Sequence, residues 1–170
     1  YQVINLFWKM SVLENVLVGM NSRLKSNFWD SLFSTKKKRE EEQRIHKKAY
    51  ELLQFVGLEE YADAPAASLS YGKQRLLEIV RGLASEPQII LLDEPAAGMN
   101  TTEKAELDIL LKKIIDMGVT ILIVEHDMKL IMNVSNYIYV LSNGKLLAEG
   151  LPNEIQQNPD VIAAYLGGDD

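Results

Sequence analysis

The stretch IILLDEPAAGMN, residues 89–100, decides the fold, because an apolar run leads directly into two adjacent carboxylates. A short apolar run bounded by turn residues is typical of a strand covered on both faces. This strand ends in Asp93 and Glu94, and Pro95 closes it. Ligands of an open parallel sheet gather at the carboxyl ends of its strands, so the sequence predicts a functional site at this pair.

A second apolar run, VTILIVE, ends just before His126. The amphipathic segment TTEKAELDILLKKIIDMG separates the two runs and predicts a helix that a threonine caps and Gly118 ends. Strands that alternate with helices are typical of an α/β fold with a parallel sheet. If the two strands are neighbours, His126 meets Asp93 and Glu94 at one edge of the sheet.

Residues 1–70 predict a separate, mainly helical piece. Ser11 and Glu14 form a capping-box pattern at the start of the short helix SVLENVLVGM. A long amphipathic helix follows and ends near Gly57, and its block of Lys and Glu is typical of a solvated face.

The last part of the chain predicts a hairpin and two short helices. NYIYVLSNGKLLAEG contains Asn143 and Gly144, the favoured dipeptide of a two-residue turn between antiparallel strands. The tail PNEIQQNPDVIAAYLG predicts two short helices, of which Pro159 opens the second.

Length and composition favour one globular domain, since the chain has 170 residues, 47% of them hydrophobic and 25% charged. Residues 1–85 hold 13 Lys and Arg against 10 Asp and Glu, a net +3, and residues 86–170 hold 5 against 14, a net −9. The two halves sum to the net charge of −6. An acidic half without a basic stripe argues against nucleic acid as a partner.

No cysteine is present, which excludes a disulfide framework and a Cys-based zinc site and suits a reducing compartment such as the cytoplasm. No apolar run approaches the roughly 20 residues of a transmembrane helix. The start of the chain also lacks the pattern of a signal peptide. We therefore expect any membrane association to come through a partner, and an upstream part to precede Tyr1.

A third element, LSYGKQRLLEIVRGLASEP, predicts a helix from about Gly72 to Ser85. The free N–H groups and the dipole at a helix start favour an anion, so Ser70 and Gly72 form a candidate phosphate site. An ordinary serine cap is the structural alternative, as a plain loop start is for the carboxylate pair. Asp93 suits Mg²⁺, and Glu94 can act as general base for an attacking water.

Taken together, these elements resemble the ATP-binding-cassette (ABC) ATPases. LSYGKQR is similar to their signature motif, IILLDEP to the Walker B strand, AAGMN to the D-loop and IVEHD to the H-loop. YQVINLFWKMSVLENVLVG resembles the Q-loop and the entry to the helical subdomain. The resemblance implies the C-terminal part of an ABC ATPase domain, with a Q-loop segment at 1–10, a helical subdomain at 11–70, and at 71–170 a RecA-like α/β core portion whose parallel sheet is flanked by helices.

The resemblance implies ATP and Mg²⁺ as cofactors and assigns a role to four polar residues near the reacting groups. Asp93 would hold the water shell of Mg²⁺, and Glu94 would polarise the attacking water. His126 would contact the γ-phosphate. Gln2 would touch Mg²⁺ or the water and report the nucleotide state to a membrane partner.

The signature motif would act on the nucleotide of a second ATP-binding subunit, because two such domains clasp two ATP molecules head to tail in this family. Ser70, the backbone of Tyr71, and Gly72 would bind that γ-phosphate. Asn100 stands where many members carry the D-loop Asp, at the interface between the two subunits.

A P-loop of the form G-x-x-x-x-G-K-[ST] occurs nowhere in the sequence. We expect it upstream of Gln2, and we expect the chain alone neither to bind ATP tightly nor to hydrolyse it. Without the P-loop strand and helix, we expect apolar faces of the sheet and of the helix around Leu76, Leu77 and Val80 to be uncovered, and the chain to self-associate.

The motifs DEPAAGMN and EHDMKLIMNVSNYIYVLSNGKLLAEG are similar to the ATP-binding subunits of branched-chain amino-acid transporters. This implies an ATPase subunit at the inner face of the cell membrane that drives import through transmembrane permease subunits. A lipopolysaccharide-export ATPase, an ABC ATPase that works away from membranes, and a fragment that docks without chemistry are the alternatives. Five aromatic residues lie in the segment that contacts the permease in this family: Phe7, Trp8, Phe28, Trp29 and Phe33.

Overall fold

The computed structural model describes residues 4–20 and 36–166, and the chain divides into two compact units between Ile123 and Val124. The first unit contains α1 (Val12–Met20), α2 (Lys36–Phe55), α3 (Tyr71–Leu83), β1 (Ile89–Asp93), α4 (Thr101–Asp116) and all but the last residue of β2 (Thr120–Val124). None of the helices in the described ranges is long and apolar enough to cross a bilayer. The division at 1–10, 11–70 and 71–170 stays a prediction.

Helix α1 begins where the capping pattern predicts. The Ser11 N–H donates to Glu14 Oε2 at 2.7 Å and the Glu14 N–H donates to Ser11 Oγ at 3.1 Å, which confirms the capping box. Helix α1 packs against α2 and α3 within the first unit. Its approach to α3 is so close at Gly19 that a Cβ there would collide with the carbonyl of Arg81.

Strands β1 and β2 pair with each other in parallel. The Thr120 N–H donates to the carbonyl of Gln88 at 3.0 Å, so the beginnings of the two strands lie side by side. In a parallel ladder this bond places Thr120 beside Ile89 and, two residues on, Leu122 beside Leu91. The parallel α/β arrangement predicted from the alternation of strands and helices is therefore confirmed.

One face of this sheet is open, so the prediction that β1 is covered on both faces is wrong. Alternate side chains of β1 and β2 are exposed, with Ile89 at 53%, Leu91 at 70% and Leu122 at 54%. We call these three residues the open face. The side chains on the opposite side of the two strands are half-buried. The sequence pattern of a doubly covered strand is the same whether or not the second cover lies within the chain.

The prediction that the apolar face of α3 is uncovered is wrong, because Leu76, Leu77 and Val80 are all buried. Helices α1, α2 and α4 all pack against α3, and the apolar stripe of α3 is buried. Of the two apolar surfaces that the sequence predicted to be uncovered, only that of the sheet is found.

The second unit is built around a hairpin. Its elements are α5 (Met128–Val134), β3 (Ile138–Ser142), β4 (Lys145–Gly150), α6 (Pro152–Gln156) and α7 (Pro159–Val161). Strands β3 and β4 are antiparallel, with Ser142 opposite Lys145. Asn143 and Gly144 have φ angles of 48° and 72°, the left-handed pair that the two-residue turn requires, which confirms the predicted hairpin.

Candidate functional site

The carboxylate pair lies where β1 ends and the backbone turns sharply. Asp93 is exposed and, by the alternation of the strand, belongs to the same side as the open face. Glu94 has a φ of 44°, the left-handed region that residues other than glycine rarely adopt. The Ala97 N–H donates to the carbonyl of Glu94 at 3.1 Å and closes a turn in which Pro95 and Ala96 are buried.

The left-handed conformation makes Glu94 a strained residue in a fixed position. A left-handed non-glycine residue costs about 1–2 kcal/mol, because its Cβ approaches a backbone carbonyl oxygen. Strain of this kind persists where the surroundings hold the backbone, and it concentrates at functional sites. The two neighbouring carboxylates thus differ in their surroundings, since Asp93 is exposed and Glu94 is half-buried.

The turn after Glu94 leads into α4 through a capping residue. Gly98 has a φ of 75°, and Asn100 Oδ1 accepts the N–H groups of Thr102 at 2.9 Å and Glu103 at 3.0 Å. Glu103 Oε2 in turn accepts the Asn100 N–H at 3.1 Å, which completes a capping box. The prediction of a threonine cap is wrong, because Asn100 takes that position and Thr101 is the first helical residue.

The start of α3 contacts the start of α4. Ser70 is the N-cap of α3, and its Oγ accepts the Lys73 N–H at the long distance of 3.5 Å. The Gly72 N–H donates to Glu103 Oε1 at 3.1 Å. A Cβ on Gly98 would lie 3.2 Å from the ring of Tyr71, so this turn fits against the half-exposed tyrosine.

The structure therefore brings the residues predicted to bind phosphate, Ser70 to Gly72, together with the predicted D-loop residue Asn100. Glu103, which was not among the predicted site residues, contacts both. The pattern N-T-T-E at residues 100–103 is a capping-box signal that could have revealed its helix-capping role. Its contact with Gly72 has no local signal, because the two residues are 31 positions apart.

His126 belongs to the second unit, and its side chain is 71% exposed. The preceding Glu125 has a buried side chain whose Oε2 accepts the N–H groups of His126 at 3.1 Å and Asp127 at 3.3 Å. Asp127 caps α5 by accepting the Leu130 N–H at 3.1 Å. The backbone around the histidine is thus held by two carboxylates, and the meeting of His126 with Asp93 and Glu94 stays a prediction.

Several sequence-predicted residues lie outside the described ranges. They are Gln2, Phe28, Trp29 and Phe33. Of the predicted partner-facing aromatics, Phe7 and Trp8 are described, and both are exposed. The guanidinium of Arg81 lies 5.6 Å from the centre of the Phe7 ring, within cation–π range.

The described residues contain no group of three His, Cys, Asp or Glu side chains that could hold a metal ion. Mg²⁺ does not require such a cage, because proteins usually bind it through one or two carboxylates together with waters and substrate phosphates. A single exposed carboxylate at a strand end, as at Asp93, fits that mode of binding.

Two protein-family models match the chain. A model described as ABC transporter matches residues 1–97. A model described as branched-chain amino acid ATP-binding cassette transporter matches residues 145–170. Between them the matches include the carboxylate pair, the signature-like helix and the tail.

Individual proteins extend this similarity over nearly the whole chain. The high-affinity branched-chain amino acid transport ATP-binding protein LivG of Salmonella typhimurium is 45% identical over 168 residues, which cover 98% of this chain and 66% of LivG. The chain thus spans 66% of the length of this relative. The ADP conformation of MJ1267, an ATP-binding cassette of an ABC transporter, aligns with a TM-score of 0.73 at 32% identity, over 94% of this chain and 63% of that one. The dimeric post-hydrolysis structure of the cassette MJ0796, bound to ADP and Pi, aligns with a TM-score of 0.70 at 27% identity. The alignment covers 89% of this chain and 61% of that one.

Proposed function

Because this chain belongs to the ATP-binding proteins of ABC transporters, we propose that it is part of an ATPase subunit that drives import of branched-chain amino acids. The observation that carries this proposal is the turn after β1, where a strained Glu94 follows an exposed Asp93. The match of residues 145–170 to the branched-chain family model favours this solute class over lipopolysaccharide export.

Catalysis at this turn would depend on positioning. Asp93 would bind Mg²⁺ through its water shell, and the ion would supply positive charge that offsets the charge of the phosphates. Glu94 would accept a proton from the attacking water. Its backbone conformation is held by the Ala97 N–H and by the buried Pro95, so the direction in which its side chain leaves the backbone would be set before the reaction begins.

The start of α3 would recognise the γ-phosphate of ATP bound by a second subunit. Ser70 offers a hydroxyl, and Tyr71 and Gly72 offer backbone N–H groups at the positive end of a helix. The dimeric structure of the similar cassette MJ0796 supports two subunits as the working unit. Asn100 would lie at the interface between them.

Two further parts complete the proposal. Phe7, Trp8 and Met10 are exposed apolar residues in the predicted permease-facing segment, and their apolar surface suits a transmembrane subunit at the inner face of the membrane. The second part is a P-loop, which the sequence does not contain. Without its cations and N–H donors, Asp93 and Glu94 would repel the triphosphate.

The lack of a P-loop predicts that this chain alone binds Mg-ATP too weakly for a calorimetric titration to detect at micromolar concentrations. The matched sample is the product of the complete gene under the same conditions. Micromolar binding by the chain alone would show that the groups present here suffice for nucleotide binding, contrary to the proposal.

The general-base role is tested by Glu94→Gln in the product of the complete gene. We expect ATP binding to remain and steady-state hydrolysis to fall by about 10²-fold or more, the usual contribution of a general base. Glu106→Gln is the matched control, because Glu106 is an exposed glutamate of α4. Hydrolysis within a few-fold of the parent in the Glu94 variant would refute the assignment.

A further inference from the structure

Glu103 covers the backbone N–H group that the proposed function assigns to the γ-phosphate. Its Oε1 accepts the Gly72 N–H at 3.1 Å, and Gly72 is buried. A Cβ placed on Gly72 would lie 2.5 Å from Glu103 Cδ, so the glutamate side chain occupies the space directly above this residue. The absence of a side chain at position 72 allows the carboxylate to reach the helix start.

One N–H carries one hydrogen, so it cannot serve a carboxylate and a phosphate equally well. Both acceptors are anions that compete for the same positive end of α3. If both were present, their like charges would repel each other at close range, where partial burial weakens screening. Phosphate binding at Gly72 and the present position of Glu103 therefore exclude each other.

We propose that Glu103 is an intramolecular competitor of the γ-phosphate, which holds Gly72 in the nucleotide-free chain and is displaced when ATP engages the signature motif. This inference rests on the proposed function and adds a regulation of the same site. Glu103 sets the ATP concentration at which the two subunits close on the nucleotide.

Displacement of Glu103 would also alter the hydrogen bonds of the segment that follows Glu94. Its second oxygen, Oε2, accepts the Asn100 N–H at 3.1 Å, so one carboxylate joins the starts of α3 and α4. Two turns, closed by Ala97 N–H to Glu94 O at 3.1 Å and Met99 N–H to Ala96 O at 3.2 Å, connect Asn100 back to Glu94. Phosphate arrival at the signature motif therefore perturbs a short bonded segment that ends at the proposed base.

The test measures ATP-dependent dimerisation of the complete gene product in a Glu94→Gln background, which prevents turnover from consuming the ATP. Light scattering across an ATP titration gives the concentration at half dimerisation. Glu103→Gln removes the charge but keeps an acceptor for Gly72, and Glu103→Ala removes both. Glu106→Gln and Glu106→Ala are matched controls on the exposed side of the same helix.

We expect both Glu103 variants to dimerise at an ATP concentration at least about fivefold lower than the background, a typical lower bound for coupling between sites. The Glu106 controls should match the background. Dimerisation that is unchanged or weakened by Glu103→Gln would overturn the inference alone, and this variant decides the question even if Glu103→Ala fails to fold. If the Glu94→Gln background shows no ATP-dependent dimer at all, the proposed function fails and the inference fails with it.

Discussion

The left-handed backbone at Glu94 predicts that this residue, which we propose as the general base, lowers the stability of the protein. Glu94→Gly removes the Cβ that makes a φ of 44° unfavourable. Glu94→Gln removes the charge and the base but keeps the Cβ. Both variants should lose hydrolysis, yet only the glycine variant should relieve the strain.

The expected gain follows from two opposing terms. A left-handed non-glycine residue costs about 1–2 kcal/mol, which glycine recovers. Glycine also loses more backbone entropy on folding, at a cost of about 0.5–1 kcal/mol. The net stabilisation lies between about 0 and 1.5 kcal/mol, which corresponds to a rise in melting temperature of up to roughly 6 °C for a chain of this size.

The measurement is the urea concentration at half unfolding, the midpoint, for the parent, Glu94→Gly and Glu94→Gln. Asn143→Gly is a useful reference, because Asn143 has a similar φ of 48° in the hairpin turn. Asparagine tolerates this conformation better than glutamate, so its replacement should gain less. A Glu94→Gly variant that unfolds at a lower urea concentration than Glu94→Gln would refute the strain argument.

Three other substitutions test single features of the fold. Leu91→Lys places a charge in the centre of the open face and should reduce self-association of the chain in light scattering over a concentration series; unchanged association would mean that another surface is responsible. Gly72→Ala introduces a methyl group 2.5 Å from Glu103 Cδ, so the glutamate side chain must move and give up its bonds to Gly72 and Asn100, and the free energy of unfolding in urea should fall by about 1 kcal/mol; a neutral result would show that these bonds contribute no net stability. Asn15→Leu leaves the part-buried backbone N–H and C=O of Phe7 without the side chain that now bonds both, and should cost about 2–3 kcal/mol in the same assay; a loss below about 1 kcal/mol would mean that water replaces it.

Features that depend on near neighbours in the sequence were predictable. The capping box at Ser11 and Glu14 and the hairpin turn at Asn143 and Gly144 each rest on contacts between residues at most three positions apart. Local chemistry selects these structures with little help from the rest of the chain. The identity of the cap of α4 was missed by one residue, because Asn100 and Thr101 are both good caps and the capping glutamate at position 103 fits only the first.

Features that depend on distant segments were not predictable from pattern alone. An apolar strand has the same sequence whether its second face is covered or open, so the exposure of Leu91 could not be read from the run IILLD. The burial of Leu77 depends on helices from distant parts of the sequence that pack against α3, α1 and α4 among them. The contact between Gly72 and Glu103 requires both helix starts to be placed before it exists.

The open face and the proposed metal ligand are parts of one surface. Strand alternation places Asp93 two residues beyond Leu91 on the same side of β1, next to the most exposed apolar side chain of that strand. Any element that covers Ile89, Leu91 and Leu122 must therefore border Asp93, and it would exclude water from the carboxylate as it buries the apolar groups. Excluding water strengthens the attraction of Asp93 for Mg²⁺ and equally its repulsion of phosphate, so a cover would complete the proposed nucleotide site only if it also supplied the cations and N–H donors of a P-loop. We therefore expect the chain to bind ATP only when the segment that covers the open face also carries the P-loop.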